Sequence, residues 1–304
     1  MVETNKVADR WRRHFQKLSN VENKNEVKEL PRTEGPIEDV TREEVEQAVK
    51  AMKNRKAPGP SGVAAEMLKL AGNTGISELQ SVFRKIIEEE KCPLEWRRSS
   101  TIALYKGKGD PLECCNHRGL RLLEHGMKIW EKILDTRLRR IVNIGESQCG
   151  YRAEKSTTDA VFMVRQLQEK YLEKKKKLHH IFVDLEKAFD RVPRKAIRWA
   201  LRRKKVPERL IRQVMALYEG SCSRVRVAGV ESDEFNITVG VHQGSALSPL
   251  LFILVMDEAT MECRRGDPWE LLYADDLVLT AESREEVTEM LEDWKGALEK
   301  RGLR

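Results

Sequence analysis

No stretch of the 304-residue sequence approaches the ~20 consecutive apolar residues that a membrane-spanning helix needs. Met1 to Arg13 is polar and lacks the apolar core of a signal peptide. The six cysteines (Cys92, Cys114, Cys115, Cys149, Cys222 and Cys263) form no C-x-x-C pair and no zinc-type spacing with histidine. They read as free thiols of a reducing compartment, cytosol or nucleus, and the adjacent Cys114-Cys115 has no second pair near it. No internal repeat of useful length is present, which sets solenoids aside. Lys106-Gly107-Lys108-Gly109-Asp110 is a basic, glycine-rich turn suited to phosphate. It is too short for a P-loop and lacks the G-K-[ST] end.

What is present is a well-hydrated chain, 35% charged and 40% hydrophobic, with 56 basic against 49 acidic residues and a net charge of +7. That excess suits a polyanionic partner without requiring one. Trp11, Phe15 and Leu18 are spaced as on a helix, and Ser19 to Pro36 reads as a linker. Thr41-Arg42-Glu43-Glu44 is a capping box, followed by the apolar face Val45, Ala48, Val49 and Met52. Lys56 to Gly62, with two prolines and two glycines, breaks that helix. Further helices are expected over Leu79 to Glu90, around Trp130, Ile133, Leu134, Leu138 and Ile141, and from Ser156 with Val161, Val164, Leu167 and Tyr171 on one side. The run Lys174 to Lys177 reads as a solvated end, with nucleic-acid contact as the second reading.

Thr101 to Tyr105 and the run after Asn116 to Leu120 read as strands, as does His180 to Leu185, which reaches an acid at Asp184. Helices are expected at Ala196 to Arg203 and Pro207 to Tyr218. Two period-two strands follow, at Val225 and Val227 and at Phe235, Ile237 and Val239. Ser248 to Met256 is apolar all round and so reads as a buried helix. Ser283-Arg284-Glu285-Glu286 is a second capping box, opening a final helix that Gly302 ends. Helices interspersed with mainly antiparallel strands read as α+β.

Leu271 to Leu279 is two short apolar runs around Asp275-Asp276, a hairpin signal. The plain reading of the two acids is turn chemistry. If the strand ending at Asp184 lies alongside, three carboxylates meet. Each pair at ~4 Å repels by about 4 kcal/mol at an effective dielectric near 20, so the cluster persists only around something positive. All-oxygen ligation points to Mg²⁺ or Mn²⁺, and a pair of such ions is the clamp used for in-line phosphoryl displacement. Spacing alone equally allows Asp184 to cap the following segment and never meet the hairpin.

At this point the residues resemble the reverse transcriptase domain of non-LTR (LINE-type) retrotransposons. The resembling segments are Phe182 to Pro193, Gly240 to Phe252 and Tyr273-Ala274-Asp275-Asp276, with Lys56 to Gly62, Asn116 to Leu120 and Gln148 to Thr157 upstream, in the family's order. Arg10-Trp11 to Phe15 is similar to the segment that precedes this domain, and the nearest subgroup is RTE-like. The resemblance implies a right-hand polymerase: an N-terminal extension over 1–40, helical fingers over 41–178 and a palm with an antiparallel sheet over 179–304. It implies RNA-directed DNA synthesis from dNTPs on a DNA primer and RNA template. Asp184, Asp275 and Asp276 would be catalytic, with Leu185 beside them at the metal positions and Mg²⁺ (or Mn²⁺) as cofactor. It also implies that Phe189 is a sugar gate excluding a 2′-hydroxyl, where the rival reading is a core Phe. Gln243 and Gly244 would line the nucleotide pocket and Arg118 would contact triphosphate; Lys128 and Arg152 are further candidates for that contact, each equally readable as a surface charge. The Lys56 loop would lie near template or primer.

The sequence departs from the family pattern at Ser61, where Asp is usual, and at His117, where an aromatic is usual. It also stops before the family's next motif, so the expectation is a chain without a thumb and without an endonuclease domain. Two alternatives to the enzyme stand beside it: a catalytically silent retroelement remnant, and a nucleic-acid-binding module that keeps the fold without turnover.

Overall fold

The computed structural model describes residues 2–152 and 154–304. Helix α1, Val2–Asn20, ends where the polar linker begins. Its Phe15 joins Val225, Phe235 and Ile237 in a small separate core, with Trp11 and Leu18 packed against it. The linker is extended and pinned: Asn23 Nδ2 donates to the Gly302 carbonyl at 2.9 Å, and Glu26 N–H to the Lys300 carbonyl at 2.8 Å. Helix α2, Arg42–Lys50, starts with the expected box, in which Thr41 and Glu44 each satisfy the other's amide. Glu44 also holds Arg137 at 2.7 Å.

Two helices follow where one was expected, α3 (Ala65–Leu70) and α4 (Gly72–Glu89). The second begins seven residues before Leu79 because glycine, a poor helix former, hid its first turn. A Cβ on Gly75 would stand 2.5 Å from the Ala71 Cβ, so close packing of that turn requires the glycine.

Strand β1 (Arg98–Tyr105) pairs antiparallel with β2 (His117–Leu122). Strand β3 spans His179–Asp184, and β4 (Cys222–Val227) runs parallel to β1 and carries β5 (Val230–Glu231) and β6 (Phe235–Asn236). This makes a mixed five-stranded sheet. Strand β6 is only two residues long, short of the expected run to Val239. Beyond it, Ile237 N–H bonds to the Ser221 carbonyl, and the Thr238 and Val239 amides to the Ser19 carbonyl, so those groups are unavailable to a ladder.

A second sheet is antiparallel, in the order β3, β8 (Asp276–Ala281), β7 (Glu270–Tyr273). The remaining helices are α5 (His125–Ile141), α6 (Thr157–Glu173), α7 (Ala188–Arg191), α8 (Arg194–Arg203), α9 (Glu208–Ala216), α10 (Ser248–Thr260) and α11 (Arg284–Glu299). Val161 of α6 and Ile141 of α5, both expected inward, are 53% and 44% exposed. The second capping box is half made. Ser283 Oγ accepts from Glu286 N–H at 3.1 Å, but the Glu286 carboxylate is taken by Arg265 at 2.9 Å.

Helix α10 is the centre of the main core, buried from Leu250 to Thr260. Each such Leu, Ile or Phe contributes about 1.5–3 kcal/mol by leaving water. Its two buried acids are paired, Asp257 with Lys204 at 2.7 Å and Arg264 at 2.9 Å, and Glu258 with Arg203 at 2.9 Å. The class is mixed α+β, and one apolar core runs from Val40 to Leu303. Among the described residues, no helix is long and apolar enough to cross a membrane.

Candidate active site: three carboxylates beside a basic cleft

The register of the second sheet brings the acids together. Asp184, last residue of β3, pairs with Asp276, first residue of β8, and Asp276 pairs on its other side with Tyr273. Ala274 and Asp275 form the two-residue turn between β7 and β8. Asp184 therefore does not merely cap the next segment; it ends at the hairpin tip. Asp184 and Asp276 are exposed and Asp275 is half-buried. The Asp275 carboxyl is raised above the usual carboxylate range by burial and by the charges of Asp276 and Asp184, while its own backbone amide and Arg118 oppose the shift.

Among the described residues, no three His, Cys, Asp or Glu side chains close into a ready-made metal cage. The acids share a corner with excess negative charge, and their donors are all oxygens. That chemistry fits a hard divalent cation, which would relieve the repulsion raising Asp275. Leu185, expected beside them, has its side chain in the core at 5% exposure, so its carbonyl is the only atom it can offer a metal.

A cleft of about 600 Å³ opens at this corner and takes in Asp184, Leu185 and Asp275 with Phe189, Gln243, Gly244 and Arg118. Four cations border it: Lys106, Lys108, Arg118 and Lys187. Arg118 is exposed and its guanidinium makes no hydrogen bond or ion pair among the described residues. Phe189 is half-buried and stacks on Phe252 with ring centroids 4.5 Å apart, while Tyr151 meets it edge-on at 6.3 Å. Both readings of Phe189 hold in part, since one face belongs to the core and the ring still borders the cleft. The Tyr151 phenol is pushed up by partial burial and by the Asp275 charge.

The loop carrying Gln243 is anchored on every side. Val241 N–H donates to the Phe189 carbonyl at 2.9 Å, and the Gln243 carbonyl accepts from Arg121 N–H at 3.2 Å. Gly244 has φ +101°, and a Cβ there would stand 3.0 Å from the Arg121 carbonyl, so both backbone shape and space demand glycine. Beneath it, Glu131 accepts from Ala246 N–H at 3.1 Å. The Asp190 carboxyl is raised by burial despite Arg121 and Gln243. Asp190, Lys187 and Tyr151 drew no role from sequence, although Asp190 and Lys187 lie inside the Phe182 to Pro193 segment.

Some expected contacts lie elsewhere. Lys128 sits on α5 outside the cleft, its ammonium pKa lowered by burial. Arg152 is also outside it and donates to the Gly145 carbonyl at 3.0 Å, with Glu146 at 3.3 Å. The Lys56 loop packs on the start of α5: Ser61 donates through its N–H and hydroxyl to Glu124, and a Cβ on Gly59 would stand 2.7 Å from Glu124 N. An Asp in place of Ser61 would set two carboxylates face to face. His117 lies between Trp11 at 4.7 Å and Tyr105 at 5.4 Å and fills an aromatic slot.

The family described as reverse transcriptase (RNA-dependent DNA polymerase) matches residues 106–304. The chain belongs to the reverse transcriptase family. Among its relatives is the retrovirus-related Pol polyprotein from type-1 retrotransposable element R2 of Nasonia vitripennis, 28% identical over 282 residues, covering 90% of this chain and 27% of the relative. The RNA-directed DNA polymerase from mobile element jockey of Drosophila melanogaster is 26% identical over 258 residues, 82% of this chain and 28% of the relative. The probable RNA-directed DNA polymerase from transposon X-element of the same fly is 27% identical over 248 residues, 79% of this chain and 27% of the relative. The chain thus spans less than a third of these relatives. The non-LTR retrotransposon resemblance drawn from the ordered motifs is borne out by the reverse transcriptase match and by these relatives.

Proposed function

We propose that the chain carries RNA-directed DNA synthesis: transfer of a deoxynucleotide onto the 3′-hydroxyl of a DNA primer on an RNA template, within an RTE-like element. The observation that supports it most is the register placing Asp184 opposite Asp276, with Asp275 opening into the same cleft as Phe189, Gln243 and Gly244. On this reading residues 1–40 are an extension, 41–178 the fingers and 179–304 the palm. Magnesium or manganese held by Asp184, Asp275, Asp276 and the Leu185 carbonyl would supply activation of the 3′-hydroxyl and neutralisation of the triphosphate and departing pyrophosphate. Asp184 and Asp276, on paired strands, and Asp275, on the turn, orient the donor oxygens. Arg118, with Lys106 and Lys187 nearby, attracts and orients the triphosphate by its free guanidinium fork. Phe189, backed by Phe252, closes the space a 2′-hydroxyl would need. Gln243 and Gly244 let backbone approach the nucleotide closely.

The test is extension of a DNA primer on an RNA template with dNTPs and Mg²⁺, comparing the chain with an Asp275→Ala, Asp276→Ala variant. Extension by the chain and not by the variant is expected. Extension by neither, with template bound by both, sinks the enzyme in favour of a binding module.

A further inference from the structure

The hairpin bearing Asp275 is held from behind by a segment far away in sequence. Residues 147–150 run beside β7. Leu272 N–H donates to the Ser147 carbonyl at 2.9 Å and Cys149 N–H to the Leu272 carbonyl at 2.8 Å, giving a parallel bridge between Gln148 and Leu272. The Gln148 side chain, 1% exposed, reaches the bend itself. Its Oε1 accepts from Ala274 N–H at 3.0 Å and from Gly150 N–H at 2.8 Å, and its Nε2 faces the Ala274 carbonyl at 3.5 Å. Ala274 has φ +60°, a left-handed conformation that costs a non-glycine residue about 1–2 kcal/mol and needs outside support. Gly150 packs so tightly that a Cβ would stand 2.3 Å from Ala274 N.

We infer that Gln148 is a positioning residue for the carboxylate site. Its amide holds the Ala274 peptide in the left-handed bend, and that bend sets the direction in which Asp275 presents its carboxylate beside Asp184 and Asp276. The inference rests on reading the hairpin as the nucleotidyl-transfer site. A glutamine suits the task because one oxygen takes both amides and the nitrogen faces the Ala274 carbonyl, so the two peptide units flanking Ala274 are held together. Without it the buried Ala274 N–H loses its partner, a penalty of the order that strains a turn without unfolding a domain.

Two variants of similar size separate positioning from filling space. Gln148→Met keeps the volume and loses the hydrogen bonds; Gln148→Glu keeps the acceptor oxygen. Three quantities are read on the full chain: amide exchange across 270–281 and across α10, Mn²⁺ binding by electron paramagnetic resonance, and kcat and KM for one dNTP. For Gln148→Met, exchange at Ala274 speeds up and α10 is unchanged. Mn²⁺ affinity and kcat fall by about 10–100-fold, as for residues that orient metal ligands, while KM holds. For Gln148→Glu, protection at Ala274 and Mn²⁺ affinity return only in part, since the acceptor oxygen is kept while the second oxygen now opposes the Ala274 carbonyl. The inference is overturned if Gln148→Met matches the wild type in exchange, or if it loosens α10 as much as the hairpin. Should the wild type incorporate no nucleotide while exchange behaves as expected, the activity reading fails and the positioning role stands.

Discussion

Phe189 shows how one side chain can serve core and cleft together. Stacked on buried Phe252, it is braced on one side, as the proposed gate would need in order to resist the group it excludes. Phe189→Val is expected to relax discrimination against ribonucleotides by about 10–200-fold, the range a cavity of a few carbons allows, measured as the ratio of kcat/KM for dNTP and rNTP. His242 carries a pH dependence. It is buried against Tyr218 with ring centroids at 4.6 Å, and burial pushes its pKa down to about 4 although Glu131 lies 3.9 Å away. Arg121 and Arg194 add to the lowering. At neutral pH the ring is thus uncharged and makes no salt bridge with Glu131. The unfolded chain takes up this proton near pH 6.5 and the folded chain only near 4. Stability therefore falls as pH drops through that window, by about 3 kcal/mol at most. Urea midpoints between pH 7 and 4 should show the loss, and His242→Gln should flatten it. The family departures at Ser61 and His117 also resolve at this scale, through Glu124 and through Trp11.

The three carboxylates were legible as elements because two adjacent acids between apolar runs and an acid ending a strand are local signals, and pairing β3 with β8 did the rest. What holds the hairpin was not legible. Gln148 and Ala274 are 126 residues apart, and nothing local to a loop glutamine announces a partner. The parallel pairing of β1 with β4 was hidden for the same reason; it is sealed by Thr101 and Ser223 hydroxyls 2.7 Å apart across 122 residues. Glycines misled in the opposite direction at α4, where they masked a helical turn. At Gly150 the packing yields a direct test. Gly150→Ala must push Ala274 aside, and a destabilisation of about 1–3 kcal/mol is expected in denaturant titration, with accelerated exchange concentrated in 270–281.

For the whole molecule, the net charge of +7 and the four cations around the cleft suit the polyanionic template and primer of the proposed function. Affinity for a primer–template should fall with salt, and Lys106→Ala should reduce the slope of log K against log salt by about 1 if that lysine meets one phosphate. Both proposed subdomains contribute to one sheet and one core, since β1 and β2 lie in the first half and β4 in the second. Whether the three carboxylates carry nucleotidyl transfer is decided by single-nucleotide incorporation on an RNA template with Mg²⁺, comparing the chain with Asp184→Asn while primer–template affinity is measured separately. Incorporation is expected to drop at least about 100-fold in the variant with affinity unchanged, because the lost charge acts on the reacting centre and not on the grip. Equal incorporation by both chains would contradict a catalytic role for the carboxylates.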